Sequence, residues 1–148
     1  MKIFRSLIIP LLLAASPALA VDTLTSKGAP DLTAVRAKID AADYRGAIAD
    51  LNGMIDQGIQ HADVYNLLGF SLRKSGDTKM ALTFYKKALE FDPDHKGALE
   101  YSGELYVQLG DATRARQNEA RLEALCPLGC EELADLRQAI EQGSAASQ

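Results

Sequence analysis

Two cysteines and two histidines are the side chains here whose types and spacing could do chemistry. Cys126 and Cys130 bracket the stretch Cys126-Pro-Leu-Gly-Cys130, while His61 and His95 stand well apart in the chain. Two thiols this close can form a disulfide, act as a redox pair, or give a metal two soft ligands. Redox pairs of the thioredoxin kind have two intervening residues at a helix start. Here three residues intervene, in a turn containing Pro127 and Gly129. A zinc site takes about four ligands. The histidines fall in equivalent turns of successive units, and helices packed roughly 10 Å apart hold two such imidazoles too far apart to share an ion easily. They read as solvated turn residues. The simplest reading of the cysteines in an exported chain is one disulfide, which constrains the unfolded chain by ~2 kcal/mol. A thiol- or metal-handling factor working through Cys126 and Cys130 stays as the alternative.

No catalytic constellation accompanies them. The chain has no Gly-rich phosphate loop, no Gly-x-Ser-x-Gly elbow and no His-Glu-x-x-His pattern. Ser71, Ser75 and Ser102 have no histidine that the expected fold would bring alongside. The acidic residues read as a solvated helix surface. No enzyme activity, resident metal or cofactor is implied.

The elements that position these residues come from periodicity. In 62–95, Val64, Tyr65, Leu68 and Leu72 share one helical face, and Ala81, Leu82, Tyr85, Ala88 and Leu89 share another. Gly76 can end the first helix, Asp77 can cap the second, and Pro93 stops it. Gly69, Ala81 and Ala88 are small where two antiparallel helices must approach closely. The offset that carries Gly69 to Gly103 also carries Gly76-Asp77 to Gly110-Asp111, Ala81 to Ala115, Pro93 to Pro127 and His61 to His95. Taken backward, the same offset maps Asp77 to Asp43 and Ala81 to Ala47. Three units follow, about 29–61, 62–95 and 96–130, the outer two degenerate: Ile59 replaces the closing Pro in the first, and Glu119 the second-helix aromatic in the third. Leu133, Leu136, Ala139 and Ile140 then mark a capping helix over 131–142, and 143–148 reads as a disordered tail.

The order Tyr65, Leu68-Gly69, Ala81, Tyr85, Ala88, Pro93 resembles the tetratricopeptide repeat, with Leu72 where that family usually has Tyr. The resemblance implies an all-α fold, a right-handed α-α superhelix of three helix pairs plus the C-terminal cap. A two-helix unit cannot bury its own apolar face, whereas stacked units can. The resemblance also implies a concave groove lined by the first helix of each repeat. That role falls on Asp63, Asn66, Phe70, Arg73 and Lys74 in the middle repeat. It falls on Glu100, Glu104, Val107 and Gln108 in the third, and on Leu32, Arg36, Ile39 and Asp40 in the first. Phe70 lies away from the packing face of its helix, so it either lines the groove or is covered by the next repeat. Arg73 shares a face with it and is placed to bond a partner. Some family members grip C-terminal carboxylates with Asn and basic side chains. Asn66, Arg73 and Lys74 are of those types, but Glu100 and Glu104 make the strip mixed in charge and suit a basic segment.

Composition fits these expectations. The 148 residues are 47% hydrophobic and 24% charged, with no Trp and only 6% aromatic, so small and aliphatic side chains must build the core. Residues 1–20 read as a signal peptide. Lys2 and Arg5 open it, the run 7–15 is apolar apart from Pro10, and Ala18-Leu19-Ala20 forms the cleavage signal. Cleavage after Ala20 would deliver the chain to the periplasm behind a short flexible lead-in, 21–30, with no membrane insertion. Losing Lys2 and Arg5 takes the formal net charge from −4 to −6. That acidity disfavours nucleic acid and anionic membranes. The expected function is a scaffold or adaptor that binds a protein or peptide. A self-associating structural module is a third reading.

Overall fold

The computed structural model describes residues 28–145. The expected signal peptide and its cleavage site lie outside the described residues, as do 146–148. The described residues form seven α-helices and no strand: α1 (Thr33–Asp40), α2 (Tyr44–Asp56), α3 (Ala62–Lys74), α4 (Thr78–Phe91), α5 (Lys96–Gln108), α6 (Ala112–Leu125) and α7 (Glu131–Ala145). Helices α1/α2, α3/α4 and α5/α6 pack as antiparallel pairs. Each pair stacks on the next through α2–α3 and α4–α5, and α7 closes the stack against α5 and α6.

Each tight turn is encoded in two residues. The Asp43, Asp77 and Asp111 carboxylates accept the backbone N–H of Gly46, Met80 and Arg114 at 3.0, 3.0 and 3.1 Å, satisfying an otherwise orphaned donor. The preceding residue takes positive φ in all three turns: Gly76 at 93°, Gly110 at 76° and Ala42 at 57°. The first turn therefore holds an alanine in a conformation that costs a side-chain-bearing residue roughly 1–2 kcal/mol.

His61 and His95, expected as solvated turn residues, are N-caps. His61 Nδ1 accepts from Asp63 N–H, and His95 Nδ1 accepts from Ala98 N–H at 3.0 Å. With Nδ1 accepting, His95 Nε2 carries the proton and donates to Asp63 Oδ1 at 3.0 Å, tying the start of α5 to the first turn of α3.

Packing follows the small-residue pattern. A Cβ on Gly69 would lie 2.7 Å from the Tyr85 ring and 3.1 Å from the Ala81 carbonyl oxygen, so α3 and α4 touch through this notch. The third pair repeats the notch at Gly103 but not the aromatic, since Glu119 stands where Tyr85 does. Leu136 of α7 fills it instead, and a Cβ on Gly103 would meet that side chain at 2.6 Å. Glu119 turns outward to Arg137 of α7, which also bonds Glu123. The worn third repeat thus explains why α7 must be there: Leu133, Leu136 and Ile140 share one core with Leu99, Tyr106 and Leu122. The helix runs through Gly143 to Ala145, beyond the expected end at 142, so 143–145 belong to the cap and not to a disordered tail. Cys126 ends α6 and Cys130 precedes α7, paired across the turn with Cα atoms 5.8 Å apart.

Candidate functional site

Helices α1, α3, α5 and α7 line one side of the stack, which carries three adjoining hollows. The first, about 530 Å³, lies between α3, α5 and the start of α7, with Arg36 of α1 at its far wall. The second, about 300 Å³, is bounded by Arg36, Ile39, Asp40, Leu67, Phe70 and Tyr101. The third, about 560 Å³, lies between Arg73, Glu104, Val107 and Gln108 on one side and Ala139, Gln142 and Gly143 of α7 on the other.

Phe70 answers to both roles that the sequence left open. It is half-buried, edge-on to Tyr44 at 6.4 Å and 5.2 Å from the Tyr101 ring, yet still borders the middle hollow. Lys74 is exposed at the C-terminal end of α3. Its ammonium sits 5.3 Å from the Phe70 ring centre, a cation–π contact. Tyr101 stands beside Phe70 on this face and packs on Tyr85 in turn. The signal for Tyr101 was present: it lies one repeat after Leu67, which also faces this side.

Three further expectations change. Arg73 and Glu104, assigned to a partner and to a basic segment respectively, are bonded to each other at 2.5 Å, both partly buried. Neither is a spare charge. Leu32 belongs to the core with Val35, Ala47 and Leu51 rather than to the groove, since it sits at the N-cap of α1 with 6% exposure. Asn66, Arg73 and Lys74 do not converge to grip a carboxylate. Asn66 is buried in the hollow between α3, α5 and α7, whose walls carry Asp63, Glu131, Glu132 and Asp135.

Glu100 departs most from a solvated helix surface. It is 7% exposed at the floor of that same hollow. It makes no hydrogen bond or ion pair with another described residue. Burial first, and then the negative charges of Glu104, Asp135, Glu132 and Glu131, push its carboxyl up to about 8. Beside it, Asn66 Oδ1 is buried without a hydrogen-bond partner among the described residues. Gly97 makes room for Asn66, since a Cβ there would lie 3.1 Å from Asn66 Nδ2. Three of the four carboxylates that raise Glu100 come from the first turns of α7, which sequence reasoning treated only as a cap.

A stack of helix pairs with a lined inner face defines the class of a helical-repeat solenoid. Residues 62–95 match the family model of the tetratricopeptide repeat. The matched residues are thus a tetratricopeptide repeat, formed by α3 and α4 in the middle of the stack. The solved structure of PcrH in complex with the chaperone-binding region of PopD superposes with a TM-score of 0.63 at 19% identity, covering 84% of this chain and 99% of that one. Among curated proteins, the uncharacterised protein ycf37 of Pyropia yezoensis is 36% identical over 66 residues, 45% of this chain and 36% of its own length. Cellulose synthase 2 operon protein C of Komagataeibacter xylinus is 36% identical over 89 residues, 60% of this chain but 7% of its own. The probable biofilm formation methyltransferase WspC of Pseudomonas putida is 33% identical over 109 residues, 73% of this chain and 26% of its own. The chain therefore spans about a third or less of the curated relatives it matches. Among the described residues no helix is long and apolar enough to cross a membrane.

Proposed function

We propose that this protein is a scaffold or adaptor that binds a segment of another protein along the face lined by α1, α3, α5 and α7, with no chemistry of its own. The observation that carries this reading is the run of three hollows along one face, with the half-buried Phe70–Tyr101 pair between the outer two. Binding energy concentrates in a few aromatic and charged anchors set in pockets. Among the described residues, the exposed large apolar side chains are Met80, Leu109 and Leu128, far apart in sequence and outside the three hollows. The complex of PcrH with a segment of PopD lends the reading a precedent on the same fold. Residues 1–20 direct export, and the Cys126–Cys130 bond is structural in this account, holding α7 to the end of α6.

Site-specific photocrosslinking in the producing cell tests the reading without disturbing the core. A benzophenone side chain at Asp40 or Gln108, both exposed on the inner face, should yield an adduct with a partner protein. One at Lys86, exposed on α4, should not. Adducts from Lys86 alone would overturn the groove assignment.

A further inference from the structure

We propose that the hollow between α3, α5 and α7 receives one lysine or arginine side chain of the bound polypeptide, with the Glu100 carboxylate as its counter-ion and Asn66 Oδ1 as a hydrogen-bond acceptor. The proposal rests on the groove reading above and names the chemistry that groove selects. Its first support is an unsatisfied pair. Glu100 and Asn66 are both more than nine-tenths buried at the floor of one hollow, and neither Asn66 Oδ1 nor the Glu100 carboxyl has a hydrogen-bond partner among the described residues. Buried polar atoms are ordinarily satisfied, and an orphaned acceptor is costly. Two acceptors left open together call for a donor from outside, and a cationic side chain supplies both the donors and the charge.

The surroundings set the sign. Asp63 comes from α3, Glu104 from α5, and Glu131, Glu132 and Asp135 from α7. The cations near the hollow are largely committed, Arg73 to Glu104 and Lys96 to Glu132 at 3.6 Å, while the His95 imidazole donates to Asp63. Arg36 stands on the α1 wall. Glu100, Glu131 and Asp135 have no ion-pair partner among the described residues. A metal ion is a poor occupant, because the described residues hold no group of three or more metal-ligating side chains placed to coordinate one. An incoming cation would stabilise the ionised form of Glu100, whose carboxyl is otherwise held up to about 8. Below that pH, binding therefore releases a proton, and affinity for the cationic peptide rises with pH.

The test uses random twelve-residue peptides displayed on phage and panned on the purified full chain. The best binder is then synthesised with its basic residue intact or replaced by norleucine. Enriched peptides should share a Lys or Arg, and the norleucine version should bind about tenfold more weakly or worse. Glu100→Gln should lose about the same factor for the basic peptide and nothing for the norleucine one. The rise in affinity between pH 6 and 8, up to about tenfold per pH unit, should vanish in that variant. Asn66→Leu should weaken the basic peptide selectively and by less. Peptides that shift α3 and α5 amide resonances but need no basic residue would overturn this inference and leave the groove reading standing. Peptides that bind only the outer helices, or a library that yields no binder, would overturn both.

Discussion

Replacing Glu100 by glutamine should stabilise the fold, and by more as the pH rises. The side chain is 7% exposed. Burial, reinforced by Glu104, Asp135, Glu132 and Glu131, raises its carboxyl from 4.5 to about 8. Between those values the folded protein holds a proton that the unfolded chain has released, so stability falls as pH rises through this window. At about 1.36 kcal/mol per pH unit, the displacement implies a cost of roughly 3–4 kcal/mol accumulating between pH 5 and pH 8. The glutamine amide keeps the shape and removes the charge. Urea unfolding followed by circular dichroism, on both proteins at pH 5 and pH 8, reads the difference directly. Groups common to both proteins cancel in it. The two should be close at pH 5, with Glu100→Gln ahead by roughly 3 kcal/mol at pH 8. An equal gap at the two pH values would show that the carboxyl is not held protonated in the fold.

Ala42→Gly should stabilise by about 0.5–1 kcal/mol, because relief of the positive φ of 57° outweighs the entropy that glycine adds to the unfolded chain; thermal melts with Gly76→Ala as the opposite-signed control check this. Gly69→Leu should destabilise by about 1–3 kcal/mol, since even its Cβ would lie 2.7 Å from the Tyr85 ring, and an unchanged melting point would refute the close α3–α4 contact. Cys126→Ser, or reduction, should lower stability by ~2 kcal/mol and speed amide exchange first in α7, which the Cys126–Cys130 pair joins to α6. Uniform exchange across the chain would count against that local role.

The helix pairs and their turns were legible because they depend on neighbours in sequence. A carboxylate three positions before the N–H it accepts, and a glycine just before it, are local rules that recur from repeat to repeat. The α3–α4 notch was legible for the same reason, since Gly69, Ala81 and Tyr85 lie within one repeat. The site was less so. Arg73 and Glu104 each looked available because their pairing joins side chains on different repeats. Glu100 looked solvated because its burial depends on α3 and α7 closing around it. The histidines were misjudged through a missing local rule, that an imidazole Nδ1 can cap a helix. The role of α7 was half visible: its apolar spacing announced a cap, but its entry into the Gly103 notch follows from Glu119 failing to supply an aromatic.

Binding on the face formed by α1, α3, α5 and α7 can be read residue by residue from amide chemical-shift mapping of the isotopically labelled protein. On titration with a library-selected peptide, the largest shifts should fall on Asn66, Phe70, Glu100 and Tyr101 and on the first turns of α7, with α4 and α6 outer positions such as Lys86 and Arg116 unmoved. Shifts concentrated on α2, α4 and α6, with Phe70 and Glu100 silent, would place the partner on the opposite face.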